Sequence, residues 1–119
     1  MDRKTAKELL HIQGWLDRAD EIVRDGQDAY DRDELRQEAG DSLMMKIGEA
    51  SNRLSRAGFV APKGVDWADA VANRNWLIHQ YDEIDRDLTW TTLVRDLPAW
   101  REFLGGEFAK AAERLAETD

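Results

Sequence analysis

The sequence predicts an all-α fold, an up-and-down bundle of about four long helices with one short one. Three observations carry the prediction. Apolar residues recur at three- and four-residue spacing over long stretches, no segment alternates with the two-residue period of a strand, and only two prolines and eight glycines interrupt 119 residues. A chain of this length is read as one domain over residues 1–119.

The first helix is expected from about Thr5 to Arg24, with Ala6, Leu9, Leu10, Gln13, Leu16 and Val23 near one face and charges between them. "RDGQDAYDRD" breaks that pattern, and Gly26 is a natural C-cap. A second helix is expected from about Asp31 to Ala57, with Leu43, Ile47, Ala50 and Leu54 as its stripe and Met44 alongside. Gly40 and Gly48 fall on or near that face. A glycine inside a helix costs about 0.5–1 kcal/mol against alanine, so a packing role is expected, the close approach of another helix.

"AGFVAPKGVD" reads as a loop, and Asp66 as the N-cap of a third helix that starts at Trp67. "YDEIDRD" interrupts after Tyr81. Asp87 then opens a short helix with Leu88, Trp90, Leu93 and Val94, and Pro98 suits the first turn of a last helix that ends near Glu117. The "GG" at 105–106 weakens the middle of that helix.

Composition excludes several classes of function. There is no cysteine, hence no disulfide and no thiolate metal site. No segment has the apolar core of a signal peptide or the length of a membrane span, so a soluble cytoplasmic protein without membrane association is expected. Acids outnumber bases 25 to 17, a net charge of -8 that opposes non-specific binding to long nucleic acid. A nucleic-acid role would rest on a local basic site, on a dimer groove, or on a partner. His11 reads as a surface histidine, the runs "DRDELRQE" and "EIDRD" as solvated faces, and the five tryptophans as core. His79 has no second histidine at ligand spacing, so no metal or other cofactor is expected.

The chemistry gathers in "RNWLIHQY", residues 74 to 81. At about 100° per residue, Trp67, Val71, Arg74, Ile78 and Tyr81 share one stripe of the third helix. Arg74 thus occupies a place the pattern reserves for an apolar side chain, and a guanidinium there needs acceptors or a water-filled cleft. Asn75 and His79 are four apart on a neighbouring face. Arg74 and His79 meet most easily where the helix ends and the chain turns, or across a symmetric partner chain. A histidine titrates near neutrality and can move a proton, whereas an arginine stabilises charge growing on a phosphoryl oxygen. Asparagine orients either group. The set suits metal-independent cleavage of RNA by attack of the 2′-hydroxyl on its own phosphate. Tyr81 adds a phenol that can stack on a base or accept a modification. Each residue alone is also explained structurally: Arg74 as an ion-pair partner, His79 as a boundary histidine, Tyr81 as packing.

"RNWLIHQY" resembles the R-x-x-x-x-H-x-Y motif, with asparagine after the arginine, of the HepT-like branch of the HEPN superfamily. "KIGEASNRLS" is similar to that branch's "IGEA" helix, and "VDWADAVANRNWLIHQYDEIDRDLTWTTLVRDLPAW" resembles the stretch that follows. The likeness covers about residues 43 to 100, and residues 1 to 42 fit as an amphipathic lead-in. The resemblance implies a HEPN-like bundle and a ribonuclease toxin of a toxin–antitoxin pair, with RNA (tRNA among the candidates) as substrate. It further implies a homodimer with two motifs facing one cleft. Carried over, Arg74 and His79 are the catalytic pair, Asn75 supports them, and Tyr81 is the tyrosine AMPylated by an MntA-like nucleotidyltransferase antitoxin. AMP groups there would place bulk and negative charge where RNA phosphate must sit. Arg53 and Arg56 are candidates to extend the basic site. The competing reading is a non-catalytic helical module that holds a nucleotide or a nucleotidyltransferase partner in its cleft.

Overall fold

The computed structural model describes residues 1–80 and 82–117. Helices α1 (Arg3–Val23), α2 (Gln27–Asp31), α3 (Glu34–Arg56) and α4 (Trp67–His79) lead to α5 (Arg86–Thr91). A π-turn (Thr92–Asp96) then joins α5 to α6 (Leu97–Phe103), and α7 (Gly105–Ala116) closes the chain. No strand occurs among the described residues, and the fold is all-α.

Four aspartates start four of these helices, each because a carboxylate accepts N–H groups that the first helical turn leaves without partners. Asp2 accepts from Thr5 N at 2.7 Å, and Asp33 from the Leu35 and Arg36 amides at 3.0 and 3.3 Å. Asp66 accepts from Ala68 N at 2.9 Å, and Asp85 from the Asp87 and Leu88 amides at 3.0 and 3.3 Å. Part of the chain's acidity is therefore spent on helix starts rather than on an electrostatic surface.

The core lies where α1, α3, α4, α6 and α7 converge. Ala6, Leu9, Ile12, Leu16 and Ala19 of α1 are buried against Leu43, Met44, Ile47, Ala50 and Leu54 of α3. Phe108 and Ala111 seat α7 on the same core. Removing each large apolar side chain from water is worth about 1.5–3 kcal/mol, so this continuous seam dominates the stability. Arg101 of α6 adds a polar tie, donating to the Leu16 carbonyl and Asp17 at 2.9 Å and to Asp20. Of the five tryptophans, Trp67 is buried, and the other four are partly buried against the core. Trp67 also donates to the Phe59 carbonyl at 3.0 Å and meets Trp100 edge-on. His11 is exposed and stacks on Trp15.

Several boundaries differ from the sequence expectation. Residues 27 to 31 form α2 as a separate element, and α3 begins only after its own cap, Asp33. Gly26 does not cap α1; it has φ 91 and precedes α2, a conformation glycine adopts without steric cost. The short helix opens at Asp85 rather than Asp87. Pro98 lies in the first turn of α6, as expected, but that helix follows the π-turn directly instead of starting after a loop. A proline inside a helix lacks one N–H and crowds the carbonyl four residues back. The π-turn just before it widens the helix there, with Leu97 N bonded to the Thr92 carbonyl five residues back. The expected weak point at Gly105 and Gly106 is where the run divides into α6 and α7.

Gly40 and Gly48 have the packing roles their positions suggest. A Cβ at Gly40 would stand 3.2 Å from the Leu93 side chain, and one at Gly48 would stand 2.5 Å from Arg74 Cβ. The bare backbone at these points lets the π-turn and α4 lie close on α3.

Candidate active site

Helix α4 carries Arg74, Asn75 and His79, and α3 decides how α4 sits. The buried line of α4 is not the expected Trp67–Val71–Ile78 stripe. Trp67 and Leu77 are buried and Ala70 packs on the core, while Val71 is half-buried and Ile78 is 40% exposed. The helix is rotated about its axis because Ala70 and Arg74 lie directly over Gly48. Arg74 keeps its place on the packing line, and Val71 and Ile78 turn outward with the polar residues.

Arg74 is anchored at its base and open at its tip. Its side chain is 29% exposed. Nη1 donates to Asn75 Oδ1 at 3.2 Å, and Nε lies 3.8 Å from Glu49 Oε1 of α3. That ion pair is too long for a hydrogen bond, and Nε itself is buried without a hydrogen-bond partner. Its Nη1 lies in an exposed contact, so the end of the guanidinium, and not Nε, is what an incoming anion can meet.

His79 is the last residue of α4 and is exposed. Asn75 is exposed as well and lines a shallow groove of about 390 Å³ with Asn52, Ser55 and Val71. Among the described residues, no hydrogen bond joins His79 to Arg74. One protomer thus unites Arg74 with Asn75 and leaves His79 reachable from solvent at the helix end. Tyr81, the expected AMPylation site, lies outside the described residues.

The structure also sorts the other candidates. Arg53 does not extend the site; its Nη2 and Nε donate to Glu8 of α1 at 2.6 and 3.0 Å, and that bonding holds its guanidinium pKa above the ordinary value. Arg56 is exposed at the last turn of α3. Glu49 was missed from sequence. Its signal was the position right after Gly48, facing a helix that carries an arginine on its packing line. Among the described residues, no group of three or more histidines and carboxylates converges on a metal position, and no helix is long and apolar enough to cross a membrane.

Fold and motif together define a HEPN-like helical bundle whose third long helix ends in an arginine–asparagine–histidine set. The family model described as Ribonuclease HepT-like matches residues 12–105, and the chain belongs to that family. No curated protein and no solved structure matches the chain.

Proposed function

We propose that this chain is a metal-independent endoribonuclease toxin of a HepT/MntA-type toxin–antitoxin system. Arg74 holds and neutralises the scissile phosphate, and His79 moves the proton between the 2′-hydroxyl and the leaving 5′-oxygen. Attack of the 2′-oxygen on phosphorus breaks the bond to the 5′-oxygen and leaves a 2′,3′-cyclic phosphate. Asn75 holds the guanidinium in register through the 3.2 Å contact. Arg74 carries the reading: it is a part-exposed guanidinium on the packing line of α4, within the matched region of a ribonuclease family.

The two motifs of a homodimer would share one cleft. Val71 and Ile78 support this reading, because they turn outward beside Arg74 instead of entering the core. Pairing these faces would bury them and bring a second Arg74 and His79 to the cleft. AMPylation of Tyr81 by an MntA-like nucleotidyltransferase would then place phosphate against Arg74 and exclude RNA.

Within one protomer no described hydrogen bond joins Arg74 to His79, and this favours a second reading, a non-catalytic module that binds phosphate-bearing partners. One experiment separates the two. Purified protein is incubated with total RNA, and the product ends are analysed. Cleavage with 2′,3′-cyclic phosphate ends, lost in His79→Ala protein of unchanged helicity, is the expected result. Binding without cleavage would establish the module.

A further inference from the structure

A groove of about 390 Å³ separates α4 from α6, on the other flank of α4 from Asn75. Asn73 lines it, and Asn75 lies about 200° further round the helix, so the groove is distinct from the candidate active site. Its floor is Met44 and Ile47 of α3. Its charged lining is acidic alone: Asp69 stands on the α4 wall and Asp96 on the π-turn wall. Asp96 is half exposed and pairs at 3.1 Å with its neighbour Arg95, an exposed contact of little worth.

Two features shape the groove. The π-turn contributes Thr92 and Asp96 to it, and π-turns inside helices recur at functional sites because the added residue re-aims the side chains that follow. At the mouth, Phe103 is 50% exposed. Its ring stands 3.0 Å from where a Cβ would project at Gly64, whose φ is +95. An exposed aromatic held over a bare backbone, beside Trp100 and two carboxylates, offers a stacking face and acceptors to the same cation.

We propose that this groove receives an arginine-bearing, otherwise apolar segment of a protein partner. The guanidinium would lie between Asp69 and Asp96 and stack on Phe103 or Trp100, and its apolar neighbours would cover Met44 and Ile47. Arginine fits better than lysine because its planar head both stacks and bonds carboxylates in pairs. A phosphodiester chain is disfavoured, since the lining holds two acids and no base.

The test is a two-dimensional amide and indole NMR titration of the full chain. Three probes are used: a blocked hexapeptide of alternating leucine and arginine, its leucine–glutamate counterpart, and a single-stranded RNA hexamer. The leucine–arginine peptide is expected to shift Asp69, Asn73, Phe103 and the Trp100 indole in a saturable way. Asp69→Asn/Asp96→Asn protein, with its spectrum otherwise unchanged, is expected to bind it about ten-fold more weakly. Phe103→Ala is expected to weaken it about three-fold. The proposal is overturned by no saturable shift up to about 1 mM peptide. Shifts centred elsewhere, equal binding of the glutamate peptide or the RNA in the groove, or an undiminished affinity in the double-asparagine protein would overturn it as well. RNA cleavage by that protein is expected to match the unmodified chain, so this proposal and the nuclease reading fail separately.

Discussion

Gly48 of α3 lies directly beneath Arg74 of α4, so closely that a Cβ at position 48 would stand 2.5 Å from Arg74 Cβ and 2.7 Å from the Ala70 carbonyl oxygen. Neither contact is the free end of a flexible side chain, so alanine there must push the helices apart. Gly48→Ala is expected to destabilise by about 1–3 kcal/mol, even though alanine is the better helix former. Gly14→Ala is the control: position 14 sits inside α1 with nothing within 4 Å of its Cβ. It is expected to stabilise by about 0.5–1 kcal/mol. Urea unfolding midpoints of the two proteins should move in opposite directions. A Gly48→Ala protein as stable as the unmodified chain would show that α4 is not seated as described.

A second relationship fixes the far side of the loop after α4. Arg86 of α5 donates to both carboxylate oxygens of Asp41 on α3 at 2.8 and 2.9 Å, and to the Tyr30 hydroxyl at 3.4 Å. The bonding to Asp41, first, holds the Arg86 pKa well above its ordinary value. Thr89 donates to the Arg86 carbonyl at 3.0 Å, which leaves the Tyr30 hydroxyl to donate to Thr89 Oγ1 at 2.6 Å. Asp41→Ala leaves a part-buried guanidinium without its carboxylate and is expected to cost about 1–3 kcal/mol. Tyr30→Phe is expected to cost about 1 kcal/mol. Because Arg86 touches both residues, the double variant should cost less than the sum, by about 0.5 kcal/mol or more. Strict additivity in equilibrium unfolding would dissolve the network into independent contacts.

The contrast between α3 and α4 shows how far the sequence can be read. The α3 stripe of Leu43, Ile47, Ala50 and Leu54 is buried as its spacing implies, because a long helix against a continuous core has one way to hide that face. The α4 stripe misleads. Val71 and Ile78 are apolar but face outward, since the seat on Gly48 belongs to Ala70 and Arg74. Periodicity counts apolar residues and does not know which of them the neighbouring helix seats. Pro98 stands in the first turn of α6 as its signal implies, and only the three-dimensional structure reveals the π-turn that leads into it. Arg74, Asn75 and His79 are proposed from residue type and motif alone, whereas Glu49 and the bond from Arg53 to Glu8 needed coordinates.

Acid should loosen the N-terminus first at α1. Asp2 accepts from Thr5 N at 2.7 Å, and this bond, foremost, holds its carboxyl below the ordinary 3.8. A depressed folded-state pKa means that the cap's contribution is fully present above the unfolded value and is lost as pH falls through the folded one. Asp2→Asn keeps an oxygen acceptor but cannot titrate. The stability difference between the two proteins is therefore expected to be constant from pH 7 to about 5 and to shrink below about 3.8. Paired urea melts across that range check it, and a difference that grows toward low pH would reverse the assignment.

The nuclease proposal makes its sharpest prediction at Arg74, where geometry and charge can be separated. Lysine preserves the charge but has no planar fork, so it cannot donate to Asn75 and to a phosphate oxygen with the same fixed head. If the role were bulk attraction for RNA, Arg74→Lys would keep most activity. If the guanidinium must meet charge developing on a phosphoryl oxygen, Arg74→Lys should lower kcat by about ten-fold or more and change KM much less. His79→Ala should remove a proton-transfer contribution of about 100-fold or more. Because His79 is exposed, its stability should stay within about 0.5 kcal/mol of the unmodified chain. EDTA at a saturating concentration should leave the unmodified rate in place, since no step in the scheme uses a cation. A rate abolished by EDTA and restored by magnesium would transfer the catalytic role away from this pair, however toxic the protein proved to be.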